Sequence, residues 1–168
     1  MKESPYLEGQ DQIIAKIKVL PIFKRYSKER LAGLLRLSKI RQYKPQEVII
    51  EEGSTDKWIY FIITGSVQVE KSEKVVAGLS KSGDVFGELG FLDEGPRSST
   101  VRATTATSCL SVDVTYLTSI EEEGHDSFHA AIYKVFAEIL AHRLRETTQK
   151  FANLRRDHEH LKKVTGRY

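Results

Sequence analysis

The sequence has few of the residues that define disulfide-rich, metal-binding or membrane-spanning proteins. Its 168 residues include one cysteine, Cys109, which excludes an intrachain disulfide framework and a cysteine-rich zinc site. No apolar run approaches the ~20 residues needed to cross a bilayer. The polar segment from Lys2 to Pro5 also has no apolar signal-peptide core. These absences predict a soluble, cytoplasmic protein without membrane contact.

Charge is unevenly distributed along the chain, although the formal net charge is only +3. Residues 1–50 carry a net charge of +6, residues 51–133 of −8, and residues 134–168 of +5. A solvated surface with basic helices around an acidic body explains this partition better than a nucleic-acid footprint does. In the acidic middle, only Arg97 and Arg102 lie between Lys81 and Lys134, so an anion bound there has few cations available.

The hydrophobic pattern predicts the fold class. Isoleucines and leucines at helical spacing indicate helices in the first forty residues. From Val48 onward, short β-branched and aromatic segments recur about every ten residues between glycine turns. Residues 71–74 predict a hairpin tip, and the last strand is expected to run from Cys109 to Val114. We therefore predict an α+β fold, an antiparallel β-roll or jelly-roll sandwich with N-terminal helices.

From Asp126 a helical pattern continues without glycine or proline until Gly166. Part of it has the 4-3 spacing of a coiled-coil seam, at Leu140, Leu144, Thr147, Phe151, Leu154, His158 and Leu161. We predict that this long helix packs first on the β-roll and then pairs with a second copy in a homodimer. In the alternative, the whole stripe is intrachain core. Residues 1–125 are thus expected to form the helices and β-roll, and residues 126–168 the long helix of the same domain.

The segment from Ser82 to Ala103 carries the chemistry. Gly87-Glu88-Leu89-Gly90 can open a helical turn whose backbone N–H groups face an anion. Arg97 can offer a planar bidentate fork to a phosphate, and Ser98 a hydroxyl donor. The Glu88 carboxylate is negatively charged and would repel a phosphate, but it can accept a hydrogen bond from a ribose hydroxyl. Together these groups describe a site for a sugar phosphate.

These residues also resemble a known motif. Phe86-Gly87-Glu88-Leu89-Gly90, followed by Arg97-Ser98-Ser99, is similar to the phosphate-binding cassette of the cyclic nucleotide-binding domain family. The likeness is strongest to the branch of the bacterial catabolite activator protein, and it covers about residues 13 to 161. It implies that Arg97, the Ser98 side chain and cassette amides hold the cyclic phosphate. Glu88 and the Gly87 backbone would bind the ribose 2′-hydroxyl.

The resemblance also implies contacts to the base and a choice of nucleotide. In the activator branch, two adjacent hydroxyl residues on the long helix meet the base, and Thr147 and Thr148 match them here. Thr147 also falls on the predicted seam. Ser98, after the cassette arginine, favours cyclic AMP as the ligand, while cyclic GMP stays open because Thr148 could bond a guanine edge. No metal is implied.

The leading hypothesis is a cyclic nucleotide receptor, a dimer that changes helix geometry on binding and signals to another, unidentified protein. Two alternatives are a truncated sensor domain of a transcription regulator and a degenerate module that binds no ligand. The activator's helix-turn-helix domain has no room in the fourteen residues after Leu154, so we expect no direct DNA binding. We expect no enzyme activity, because a cupin-type metal site needs histidines on strands. The five histidines lie in or beside the last helix, at His125, His129, His142, His158 and His160.

Overall fold

A computed structural model describes residues 1–7, 11–18, 23–24, 27–92, 95–115 and 126–165. The chain divides into two units, Met1–Asp126 and Ser127–Tyr168. In the described part of the first unit there are three helices: α1 (Asp11–Ile17), α2 (Lys28–Arg36) and α3 (Leu89–Leu92). Its nine strands among the described residues are β1 (Lys2–Glu3), β2 (Ser38–Tyr43), β3 (Val48–Ile50), β4 (Trp58–Thr64), β5 (Val67–Lys71), β6 (Lys74–Leu79), β7 (Val85–Phe86), β8 (Thr100–Ala103) and β9 (Thr107–Asp113).

The strands form two antiparallel sheets. One sheet has five strands in the order β1-β2-β9-β4-β7, and the other has four in the order β3-β8-β5-β6. Every strand pair is antiparallel. The predicted α+β class with an antiparallel β-roll is therefore confirmed. The last strand begins two residues earlier than predicted and ends at Asp113 rather than Val114.

Strand β4 is buried on both of its faces, which explains its continuous run of apolar residues. Alternate side chains of a strand point to opposite faces of the sheet. On one face Phe61 packs against Phe23, with 4.9 Å between the ring centroids. On the other face Tyr60 stacks on Phe86 of β7 at 5.0 Å, with an angle of 6° between the ring planes. One face of β4 therefore contacts Phe23 of the N-terminal region, and the other face contacts Phe86, the first residue of the cassette.

The second face of β4 contributes to a core that also includes residues of the four-stranded sheet. This core is formed by Tyr43, Ile50, Tyr60, Ile62, Val67, Phe86, Val101, Ala103 and Cys109. Cys109 has no exposed surface. Burial disfavours the charged thiolate and raises the pKa of Cys109 to about 12. The thiol is therefore a small apolar core group.

Strand β2 was not predicted, because its buried positions include Ser38 and Arg41 rather than an alternating apolar set. The Ser38 hydroxyl donates a hydrogen bond to the Leu34 carbonyl at 2.6 Å. The Arg41 guanidinium lies 3.7 Å from the centroid of the Trp58 ring and donates to the Tyr60 hydroxyl at 3.1 Å. Partners for these polar groups come from other elements, so hydrophobic periodicity alone misses the strand.

The described residues of the second unit all belong to helix α4 (Asp126–Thr165), which begins at Asp126 as the helical pattern predicted. Four apolar side chains of the predicted seam are largely exposed, between 59% and 69%: Leu144, Phe151, Leu154 and Leu161. The predicted packing of the first turns on the β-roll concerns side chains outside those the structure describes. No helix among the described residues is both long and apolar enough to cross a membrane.

Candidate functional site

The cassette folds around a glycine that no other residue can replace without strain. Gly87 follows β7 with a φ of 84°, in the left-handed region that favours glycine. A Cβ atom at this position would lie 3.0 Å from the Arg97 guanidinium, the Ile50 side chain and the Trp58 carbonyl oxygen. The missing side chain therefore lets the arginine approach the cassette backbone.

Arg97 is the centre of the site and is only 4% exposed. Its Nη1 donates to the Gly87 carbonyl at 2.5 Å, and its Nη2 donates to the Trp58 carbonyl at 2.5 Å. The guanidinium also forms a bidentate pair with Asp56, Nε to Oδ2 at 3.1 Å and Nη2 to Oδ1 at 2.5 Å. Because these four bonds fix the plane of the fork, the cation is held in one orientation beneath the cassette.

Asp56 is a member of the site that the sequence analysis missed. Burial on its own would raise the pKa of Asp56, but hydrogen bonds from Arg97 and its positive charge outweigh burial and lower that pKa. The Asp56 side chain is 36% exposed, so it is the part of the pair that water reaches. Asp56 and Arg97 are 41 residues apart in the sequence, so no local motif could have indicated their contact.

The backbone after Arg97 is anchored to the turn between β3 and β4. The Gly53 N–H donates to the Arg97 carbonyl at 2.8 Å, and the Arg97 N–H donates to the Ser54 carbonyl at 2.8 Å. Gly53 has a φ of 84°, which tightens this turn. The cassette arm that carries Arg97 is thus fixed by two backbone bonds in addition to the bonds of its side chain.

Among the predicted cassette residues, the structure places Gly87 and Gly90 next to Arg97. Phe86 and Glu88 are buried, at 3% and 1% exposure, and Gly90 is buried within α3. Leu89 and Ser98 are exposed, and Ser99 is half-buried. Thr147 and Thr148 are exposed residues of α4, which belongs to the second unit.

Metal-binding groups do not assemble within the described part of the chain, where no three histidine, cysteine, aspartate or glutamate side chains are placed to hold an ion. Of the histidines considered for a cupin-type site, His142, His158 and His160 are exposed on α4. His129 also belongs to α4, whereas His125 lies outside the described residues.

Comparison with known proteins identifies the family. The family model described as "Cyclic nucleotide-binding domain" matches residues 40–123, which include most of β2, all of β3 to β9 and the whole cassette. The chain belongs to the cyclic nucleotide-binding domain family. The resemblance inferred from the cassette is therefore confirmed. The family is a regulatory cyclic nucleotide-binding domain rather than a catalytic one.

Relatives of this cyclic nucleotide-binding domain include regulators from fungi and bacteria. It is 36% identical over 92 residues to the cAMP-dependent protein kinase regulatory subunit of Mycosarcoma maydis, which covers 52% of this chain and 17% of that protein. It is 33% identical over 134 residues to the cAMP-activated global transcriptional regulator Vfr of Pseudomonas aeruginosa, covering 75% of this chain and 60% of Vfr. The chain thus spans less than two thirds of either relative.

A solved structure supports the same fold. A cyclic nucleotide-binding domain from Methylobacillus flagellatus superposes with a TM-score of 0.74 at 20% identity, covering 89% of this chain and 88% of that one. At this level of identity the likeness concerns the fold. The β-roll with N-terminal helices and a C-terminal helix is therefore the architecture of the family rather than a feature of this chain alone.

Proposed function

We propose that this protein is a cyclic AMP receptor that couples nucleotide binding to the geometry of a homodimer and signals to a partner protein, without catalysing a reaction. The observation that carries the proposal is the buried Arg97, held in one orientation by Asp56 and two carbonyl groups. A preorganised guanidinium can bind a phosphate with little loss of side-chain entropy. Both relatives described above carry cAMP in their names, which supports this nucleotide over cyclic GMP.

Each residue of the cassette has a proposed role in binding the nucleotide. Arg97, Ser98 and the backbone of Ser99 hold the cyclic phosphate, and Glu88 accepts a hydrogen bond from the ribose 2′-hydroxyl. Phe86, Leu89 and the two cassette glycines shape the pocket. Thr147 and Thr148 are proposed to contact the base. The exposed apolar seam of α4 is the proposed dimer contact, since four large apolar side chains on one helix are a surface that a second helix can bury.

Calorimetric titration of cAMP, cGMP and 5′-AMP into the purified protein tests this function. We expect one cAMP site per chain, weaker binding of cGMP, and no binding of the acyclic control. A ligand at 100 times its Kd stabilises a protein by ~2.7 kcal/mol, which for a chain of this length raises Tm by about 5–10 °C. Tighter binding of cGMP would overturn the choice of nucleotide, and an absence of binding to both cyclic nucleotides would overturn the function.

Replacing Glu88 by glutamine is expected to weaken cAMP binding by a factor of about ten, the value of one hydrogen bond to a charged acceptor. Glutamine keeps the size of the buried side chain and one acceptor oxygen. The measurement compares cAMP with 2′-deoxy-cAMP in both proteins. The wild type should discriminate against the deoxy analogue, and Glu88→Gln should discriminate less, because the contact to the 2′-hydroxyl is already weakened. Equal discrimination in both proteins would contradict the role of Glu88.

A further inference from the structure

The tip of the β5–β6 hairpin reaches the cassette through one lysine. The turn residues Ser72 and Glu73 have φ values of 48° and 64°, as in a type I′ turn, which places Lys71 opposite Lys74. The Lys71 Nζ donates to the Ser98 carbonyl at 2.6 Å and to Glu52 Oε1 at 2.6 Å. The hairpin, the 51–54 turn and the cassette therefore meet at a single ammonium group.

Glu52 holds this lysine in place. Its second carboxylate oxygen accepts a hydrogen bond from the Ser72 N–H at 3.2 Å. Hydrogen bonds from Lys71 and the Ser72 amide lower the pKa of Glu52, so it is ionised at neutral pH. The carboxylate thus holds the lysine ammonium beside the Ser98 carbonyl, with the Lys71 side chain 52% exposed.

Two successive peptide groups of the cassette are fixed by their carbonyl oxygens. The Arg97 carbonyl is bonded to the Gly53 N–H, and the Ser98 carbonyl is bonded to Lys71. In a planar trans peptide, the N–H of the next residue points away from the carbonyl. The Ser98 N–H therefore points away from the 51–54 turn, and the Ser99 N–H points away from Lys71 of the hairpin. Neither donates a hydrogen bond to another residue in the part of the chain that the structure describes.

We propose that Lys71 is a positioning residue for phosphate binding: it holds the Ser98–Ser99 peptide so that the Ser99 N–H faces an exocyclic oxygen of the cyclic phosphate. The assignment rests on the proposed function, since it needs a cyclic nucleotide in the cassette. Arg97 supplies the positive charge that binds the phosphate. Lys71 instead bonds the Ser98 carbonyl and so sets the direction of the uncharged Ser99 N–H donor. Because a hydrogen bond is directional, such a donor faces one exocyclic oxygen and discriminates between the two.

The test compares Lys71→Met with Lys74→Met, its matched control. Both substitutions remove one positive charge from the same hairpin tip, but the Lys74 side chain forms no hydrogen bond or ion pair with a described residue. We expect Lys71→Met to lower the affinity for cAMP about tenfold, equivalent to ~1.4 kcal/mol, and Lys74→Met to change it less than about twofold because exposed charges are screened by salt. Lys71→Arg, which keeps the charge and the donors, should restore most of the affinity.

A second measurement distinguishes a loss of amide positioning from a general loosening of the nucleotide site. In the two phosphorothioate diastereomers of cAMP, sulfur replaces one or the other exocyclic oxygen, and only one of these faces the Ser99 N–H. The ratio of their affinities should move towards one in Lys71→Met and stay at the wild-type value in Lys74→Met. An unchanged ratio, or equal losses in the two methionine variants, overturns the role of Lys71 alone. A wild-type protein that binds no cyclic nucleotide overturns the proposed function and this assignment with it.

Discussion

Replacing Arg97 by alanine is expected to weaken cyclic nucleotide binding strongly. Four of its five N–H groups are donated to Asp56, Gly87 and Trp58, which leaves one Nη1 hydrogen for the phosphate. One charge-assisted hydrogen bond contributes about 1.5–3 kcal/mol, and its loss corresponds to a decrease in affinity of about one to two orders of magnitude. Arg97→Glu should be at least as severe, because it places a like charge beside the phosphate. Calorimetric titration of cAMP measures the effect, and unchanged affinity in a folded Arg97→Ala protein would contradict the assignment of the site.

The same substitution should also destabilise the β-roll, because Arg97 has structural partners. Alanine leaves the Gly87 and Trp58 carbonyls without their donor and leaves Asp56 without its counter-charge. We expect a loss of about 1–3 kcal/mol in the free energy of unfolding, which lowers Tm by about 2–12 °C. Binding must therefore be measured well below the Tm of the variant.

Arg102→Ala is the matched control for this experiment. Arg102 lies on β8, five residues after Arg97, and also pairs with a carboxylate, donating from Nε to Glu70 Oε1 at 3.0 Å. The Arg102 and Glu70 side chains are 29% and 14% exposed, so this pair is also partly buried. Arg102 donates to Glu70 and to the Gln46 carbonyl rather than to a cassette residue. We therefore expect Arg102→Ala to change nucleotide affinity less than about twofold. Equal losses in the two alanine variants would indicate a general effect of charge rather than a specific phosphate contact.

Leu154→Glu is expected to disrupt the proposed homodimer. Burying one leucine contributes about 1.5–3 kcal/mol, and a dimer contains two copies of Leu154. Loss of both raises the dimer dissociation constant by about two to four orders of magnitude. The introduced carboxylates would also face each other across the seam. Sedimentation equilibrium with and without cAMP measures the change. Asn153→Glu, which adds the same charge one residue away and outside the seam, should leave the dimer intact.

Nucleotide affinity should fall in the same variant if dimer geometry and ligand binding are coupled, because coupling between two sites is reciprocal. Thr147→Ala separates the two properties. It replaces a polar seam position with an apolar one and should preserve the dimer, while it removes a proposed contact to the base. A protein that stays monomeric at high concentration and still binds cAMP with full affinity would refute the coupling.

Local motifs made part of the site predictable from the sequence. Gly87, Glu88 and Arg97 stand within eleven residues, and their chemistry alone indicates a sugar phosphate. Asp56 and Lys71 were not predictable in this way, because each reaches the cassette from a turn or hairpin far away in sequence. Their contacts depend on the order of strands in two sheets, which a hydrophobic pattern does not specify.

The elements of the fold likewise divide into those that local sequence patterns predict and those that depend on tertiary contacts. Strand β4 and helix α4 have strong apolar periodicity and were predicted, the helix with its starting residue. Strand β2 was missed because Arg41 is buried by stacking on Trp58 and by hydrogen bonds to Tyr60 and Glu3. A buried polar residue is stable only where partners satisfy it, and the partners come from tertiary structure.

The burial of Cys109 makes this protein well suited to site-directed labelling. Thiol reagents attack the thiolate, and a fully buried group with a pKa of about 12 supplies almost none at neutral pH. A cysteine introduced at an exposed position of α4, such as Arg156, would therefore be the one labelled site without removal of the native thiol. Spin labels at that position would report the separation of two helices in a dimer directly, with the nucleotide present or absent.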